Sequence, residues 1–98
     1  MVIFTYGTLR SFGDQHADAM DALDEWYRKT EEADWNNLTD IQSTFGAADY
    51  VGNDRYVFNI KGNRYRLVAM IHLAVRSVYV RAVFTHADYS RTKDISTL

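Results

Sequence analysis

Two runs of strand-forming residues around a polar tripeptide constrain this chain more than any other feature in it. They span Tyr56 to Leu73, YVFNIKGNRYRLVAMIHL, and a third run, VYVRAVFTHADY, follows from Val78 to Tyr89. Val, Ile, Tyr, Phe and Leu suit a pleated, half-buried surface. Lys61-Gly62-Asn63 contains residues that tolerate the left-handed backbone of a tight turn, so the first stretch reads as a β-hairpin. The third run reads as a strand returning beside the hairpin and passing into a polar tail at Thr85-His86. Side chains alternate across a sheet, which puts Leu67, Ala69 and Ile71 on one face and Arg66, Val68 and Met70 on the other. The same count gives the third strand an apolar face of Val78, Val80, Ala82 and Phe84, with Tyr79, Arg81 and Val83 opposite. One face is expected to pack on helices while the other carries Arg66, Arg81 and Asn59.

The residues before the hairpin supply those helices. Val2 to Tyr6 reads as a short strand interrupted by Gly7, and Thr8 to Phe12 as the opening of a helix capped by Thr8 or Ser11, with Gly13-Asp14 as a break or kink. Ala17 to Asp34 is the clearest helix: Met20, Leu23 and Tyr27 recur at helical spacing, while Asp18, Asp21 and Glu25 fill the wetted face. Asn37 or Thr39 is placed to cap a shorter helix that buries Leu38, Ile41 and Phe45, with Gly46 ending it and Trp35 packed at the junction. Ala47 to Val51 reads as a strand and Gly52-Asn53-Asp54 as the turn into the hairpin. Helices early and an antiparallel meander late predict an α+β domain, with N-terminal helices on one face of a four- to five-stranded, mainly antiparallel sheet.

Length is consistent with one domain over residues 1–98. Cysteine is absent, which excludes a disulfide framework and thiol chemistry and fits a reducing cytoplasm. No apolar run approaches the roughly 18 residues of a membrane span, and MVIFTYGTLR lacks the basic start of a signal peptide. The net charge of −2 hides an asymmetry. Asp14 to Asp34 holds eight acids against two bases, whereas Asn53 to Leu98 holds eight bases against three acids. A basic C-terminal sheet suits a phosphate-bearing partner; it is equally the ordinary wet side of a small domain.

The sequence has no phosphate-binding loop, dinucleotide fingerprint, zinc-protease or nucleophile-elbow motif. Its chemistry-bearing groups gather on or near the second and third runs. Arg66 and Arg81 come from consecutive strands and suit a phosphodiester; His86, with Asp88 and Tyr89 beside it, could exchange protons with an attacking or leaving oxygen. Each has a plainer reading: His86 as a turn cap, Tyr89 as a packing residue, the arginines as solvated charge. Asn59 is uncomfortable inside a strand, Gly62-Asn63 reads most simply as turn chemistry, His16 as a surface residue and His72 as the end of a strand.

ADWNNLTDIQSTFGAADYVGNDRYVFNIKGNRYRLVAMI, followed by VYVRAVFTHADY, resembles the HigB-type toxins of type II toxin–antitoxin pairs, within the RelE-like mRNA interferases. The family pattern VFNIGGNxYRL is matched by VFNIKGNRYRL, and YIRxVxTHxEYD by YVRAVFTHADYS. The likeness runs from His16 to Tyr89. It implies a RelE-like fold, no cofactor or metal, and cleavage of mRNA on the translating ribosome by attack of the ribose 2′-OH on the adjacent phosphate. It also implies a HigA-type antitoxin as partner, a toxin–antitoxin complex able to bind operator DNA, and no membrane association. On this resemblance Arg66, Arg81, His86 and Tyr89 are the expected catalytic residues, and Asn59, Lys61, Asn63 and Arg64 the expected RNA contacts. Departures are Lys61 where the family has Gly, Asp88 and Ser90 in the last motif, and an N-terminal segment whose only basic residue is Arg10. These departures leave open a second expectation: a catalytically poor toxin-like binding module that acts with its antitoxin in transcriptional regulation.

Overall fold

The computed structural model describes all of residues 1–98. The hairpin forms as its sequence predicts. Strand β3 (Arg55–Ile60) pairs antiparallel with β4 (Tyr65–His72), with Arg55 opposite Met70, Asn59 opposite Arg66 and Ile60 opposite Tyr65. Its turn holds Lys61 at φ 52° and Gly62 at φ 65°, consecutive left-handed residues that match the strand twist. Strand β5 (Ser77–Thr85) lies antiparallel along the other side of β4. Strand β2 (Asp49–Gly52) pairs antiparallel with β3, and β1 (Val2–Phe4) pairs parallel with β5, giving a mixed sheet of order β1-β5-β4-β3-β2.

Three helices cover one face of this sheet: α1 (Tyr6–Gln15), α2 (Met20–Glu32) after a 3-10 turn at Ala17–Ala19, and α3 (Leu38–Thr44). The core between the layers takes Leu9 from α1, Leu23 and Trp26 from α2, and Ile41 from α3. They meet Phe58, Ile60, Leu67, Ala69, Ile71, Val78 and Val80 from the sheet. Trp26, Trp35, Phe45 and Phe58 form an aromatic group, and Trp35 Nε1 donates to Thr44 Oγ1 at 3.0 Å, so its polar edge is not stranded. The fold is α+β, with its three N-terminal helices on one face of a five-stranded sheet, as expected.

Local departures have identifiable causes. The first strand stops at Phe4, and Gly7 lies inside α1 rather than ending the strand. Neither Thr8 nor Ser11 caps that helix. The capping position is Thr5, at φ 73° with no side-chain cap, because its hydroxyl accepts from Val80 N–H at 2.9 Å and so extends the β1–β5 pairing by one side chain. Asn37 does cap α3, its Oδ1 accepting from Asp40 N–H at 2.9 Å. Gly46 follows that helix without a positive φ, so it is not a left-handed cap. The polar tail expected at Thr85 is a fourth helix, α4 (His86–Arg91), capped by Thr85 Oγ1, which accepts from Asp88 N–H at 3.1 Å.

Strand β5 departs from strict alternation. Val68 lies opposite Ala82 and Ala69 opposite Val80, so Arg81 is an extra residue in the ladder, a β-bulge. Beyond it the alternation inverts. Val83 turns inward against the core, while Ala82 and Phe84 join the open face that strict alternation had assigned to Val83.

Candidate nucleic-acid interface

The sheet face away from the helices reads across the strands in rows. Register puts Arg55, Met70, Tyr79 and Phe4 in one row, Val57, Val68 and Ala82 in the next, and Asn59, Arg66 and Phe84 in a third. Val57 and Val68 are buried although they lie outside the main core, so from β3 to β5 the middle row is an apolar floor, with exposed Asp49 at its β2 end, and the outer rows carry the arginines.

The third row is the better organised. Arg66 Nη2 donates to Asn63 Oδ1 at 2.5 Å, and Nη1 donates to the carbonyls of Asn63 and Tyr65, both at 3.2 Å. Its guanidinium carbon lies 5.8 Å from the centre of the Tyr89 ring, and that ring is 6.2 Å from Phe84. Helix α4 presents Tyr89 here because His86 N–H donates to Arg64 C=O at 3.0 Å, pinning the start of the helix to the hairpin turn. His86 itself is exposed in the first turn of α4, and its ring makes no hydrogen bond. Asn59 is exposed directly across from Arg66. The fold therefore brings Asn63, Arg66 and Tyr89 together, with Asn59 across the ladder from Arg66 and His86 one turn of helix away.

Arg81 stands apart from this group. Its guanidinium lies 5.8 Å from the Tyr79 ring centre, and Nη2 is 3.6 Å from Met70 Sδ. Arg66 and Met70 are four positions apart on β4, roughly 13 Å at about 3.3 Å per residue. The two arginines share a face but do not converge on one point.

Lys61 and Arg64 are engaged elsewhere, at the hairpin tip. Asp18, in the 3-10 turn, accepts from Tyr65 OH at 2.6 Å and from Arg64 Nη1 at 3.2 Å, with Lys61 Nζ 3.5 Å away. Lys61 Nζ also donates to the Asp18 carbonyl at 3.0 Å. The Tyr65 phenol, then the two cations, hold the Asp18 carboxyl below its ordinary value, and that same hydrogen bond raises the Tyr65 phenol above its own. His16, expected on the surface, is half-buried and stacks on Phe12 at 4.3 Å beside Tyr65. His72 does end its strand, with Nδ1 3.6 Å from Asp54.

Two features of the open face were not singled out from sequence. Arg55 is half-buried, with Nε and Nη2 donating to Leu98 C=O at 3.0 and 2.7 Å. Phe4 stacks on Tyr79, their ring centres 4.9 Å apart. The first depends on a contact across 43 residues; the second depends on β1 pairing in parallel with β5. Neither leaves a local pattern.

An α+β fold with three N-terminal helices on one sheet face, and arginines and aromatics on the other, defines a RelE-like architecture. A family model described as HigB_toxin, RelE-like toxic component of a toxin–antitoxin system, matches residues 19–92. The chain belongs to this family. It is 47% identical over 34 residues to the mRNA interferase toxin HigB of Escherichia coli strain K12, covering 35% of this chain and 33% of that protein. It is 28% identical over 72 residues to the mRNA interferase HigB of Escherichia coli O6:H1 strain CFT073, covering 71% of this chain and 70% of that one. The match thus spans about a third of the length of the K12 relative.

Proposed function

We propose that this chain is the toxin of a type II toxin–antitoxin pair and an endoribonuclease that cuts mRNA on the translating ribosome. The observation that carries the reading is the Asn63–Arg66–Tyr89 group on an open sheet face, in a chain that belongs to the HigB toxin family. Such a face is suited to an extended strand, with its guanidinium and its aromatic ring side by side. The proposed reaction breaks the bond from phosphorus to the 5′-oxygen. The ribose 2′-oxygen attacks phosphorus, its proton passes to a base, and the 5′-oxygen leaves with a proton from an acid, giving a 2′,3′-cyclic phosphate and a 5′-hydroxyl. Arg66 holds the scissile phosphate and stabilises the charge that develops on it; Arg81 binds phosphate farther along the face. His86, exposed and without a hydrogen-bonded partner, is the proton-transfer group, and Tyr89 orients the base beside the cut. Asn59 and Asn63 contact the RNA backbone. Lys61 and Arg64 do so from the rim, exchanging Asp18 for phosphate. The chemistry calls on no metal or cofactor.

The partners proposed are a HigA-type antitoxin, mRNA and the ribosome, in the cytoplasm, with operator DNA bound by the toxin–antitoxin complex. No helix is long and apolar enough to cross a membrane.

Primer extension on a defined mRNA in a purified translation system, with and without ribosomes, tests this. Wild type should cut only when ribosomes are present. Arg66→Ala should lower cutting by about 10²- to 10³-fold, the usual cost of removing one transition-state donor. Arg81→Ala should also suppress it; Arg81 is exposed, so that change should alter stability by no more than about 0.5 kcal/mol. No cutting by folded wild type under any condition would leave the other reading, a binding module that acts with its antitoxin on transcription.

A further inference from the structure

We infer that Phe4, Tyr79 and Arg81 form a second RNA subsite, a platform on which a base stacks within about four nucleotides of Arg66. The inference rests on reading the open face as an RNA surface. The rings of Phe4 and Tyr79 are nearly parallel, with an interplanar angle of 14°, yet Phe4 stays 43% exposed at the β1 edge. An apolar ring left in water beside a second ring is a surface with a partner still to come. None of the molecule's cavities borders Phe4, Tyr79 or Arg81, so the ligand is flat or extended rather than enclosed.

Charge indicates which ligand. Arg81 lies over Tyr79, while Arg55, at the far end of the same row, is held by Leu98 C=O and Asn53 C=O. Asp54 lies 3.6 Å from His72 Nδ1, and the His72 ring meets Tyr79 edge-on at 6.1 Å. Asp49 shares the face but lies across β3, beside Val57. An aromatic pair beside one guanidinium suits a nucleobase and its phosphate, since every base offers a π-face and every linkage a negative charge. Spacing supports the same ligand. The roughly 13 Å between the Arg66 and Met70 rows is spanned by at most about four nucleotides, the number needed if they stack at about 3.4 Å each, and by fewer if the strand is extended. One continuous single strand can therefore reach both rows.

The test uses fluorescein-labelled 2′-O-methyl oligouridylates of three and eight nucleotides, which lack the attacking hydroxyl and cannot be cut by the proposed chemistry. Fluorescence anisotropy is read on the full chain. Wild type should bind the eight-mer more tightly than the three-mer. Phe4→Leu and Tyr79→Leu, each confirmed folded by thermal melting, should weaken eight-mer binding by about tenfold and shrink the length advantage. Phe4→Trp should retain it. Wild-type affinity in folded Phe4→Leu and Tyr79→Leu, with Arg66→Ala weakened, would overturn the platform and leave the RNA face standing. Failure of the wild type to bind either oligomer would remove both. Unchanged RNA binding with weakened antitoxin binding in the Phe4 variant would make the patch a protein-docking surface instead.

Discussion

Asp18 shows how much one side chain can organise. It ties the 3-10 turn to the hairpin through Tyr65 and draws two cations, Lys61 and Arg64, to the tip. The shifts it produces give a pH dependence of definite sign. Its folded pKa lies below the unfolded value of about 3.9, so its stabilisation is complete above that pH and is lost as pH falls through the folded value. Tyr65 lies above its unfolded value of about 10, so the same bond is complete below that pH and is lost as pH rises through the folded value. Asp18→Asn should therefore flatten the stability profile on both limbs, below about pH 4 and above about pH 10, as read from urea midpoints across that range. Parallel profiles for variant and wild type would show that the cluster contributes nothing. The partners of Asp18 lie 43 to 47 residues downstream, which is why a scan that counts local spacing sees only an acid on a wetted helix.

At the scale of the element, legibility depended on whether a rule was local. The alternation of β4 is local, and Leu67, Ala69 and Ile71 do face the core. The cap of α3 is local too. Asn37 accepts from Asp40 N–H, and Asp40 in return accepts from Asn36 N–H at 2.9 Å. Asn37→Ala should cost about 1 kcal/mol and Asn37→Ser should restore most of it, seen as a lower and then recovered urea midpoint at constant slope. An unchanged midpoint in the alanine variant would mean the cap is replaced by water. The bulge at Arg81 is different, because it is a property of the pairing rather than of VYVRAVF. One extra residue in β5 moved Phe84 to the open face, beside Tyr89, and Val83 to the core. The site is affected more than the core. Tyr79 and Arg81 were legible as sharing a face, but the placement of Phe84 against the Arg66 group was not. The short helix carrying His86 and Tyr89 does have a local start signal, Thr85 with Asp88 three residues on, but it falls at the end of a strand and opens only six residues.

At the scale of the whole molecule the charge asymmetry becomes a layering. The acid-rich segment from Asp14 to Asp34 spans the end of α1, the 3-10 turn and α2 in the helical layer, while Arg55, Arg66 and Arg81 lie on the open face of the sheet. An approaching polyanion is thus repelled by one layer and attracted by the other, which orients it before contact despite a net charge of only −2. Binding driven this way releases counterions, and for a single strand each neutralised phosphate contributes about 0.7 to the negative slope of log affinity against log salt. If Arg66 and Arg81 each meet a phosphate, the eight-nucleotide oligomer should show a slope of about −1.4 or steeper, and Arg81→Ala should reduce its magnitude by about 0.7. Phe4→Leu should weaken binding while leaving the slope unchanged, because stacking displaces no counterion from the protein side. An Arg81→Ala slope equal to wild type would show that this guanidinium serves Tyr79 and Met70 rather than RNA, and the phosphate track would then end at Arg66.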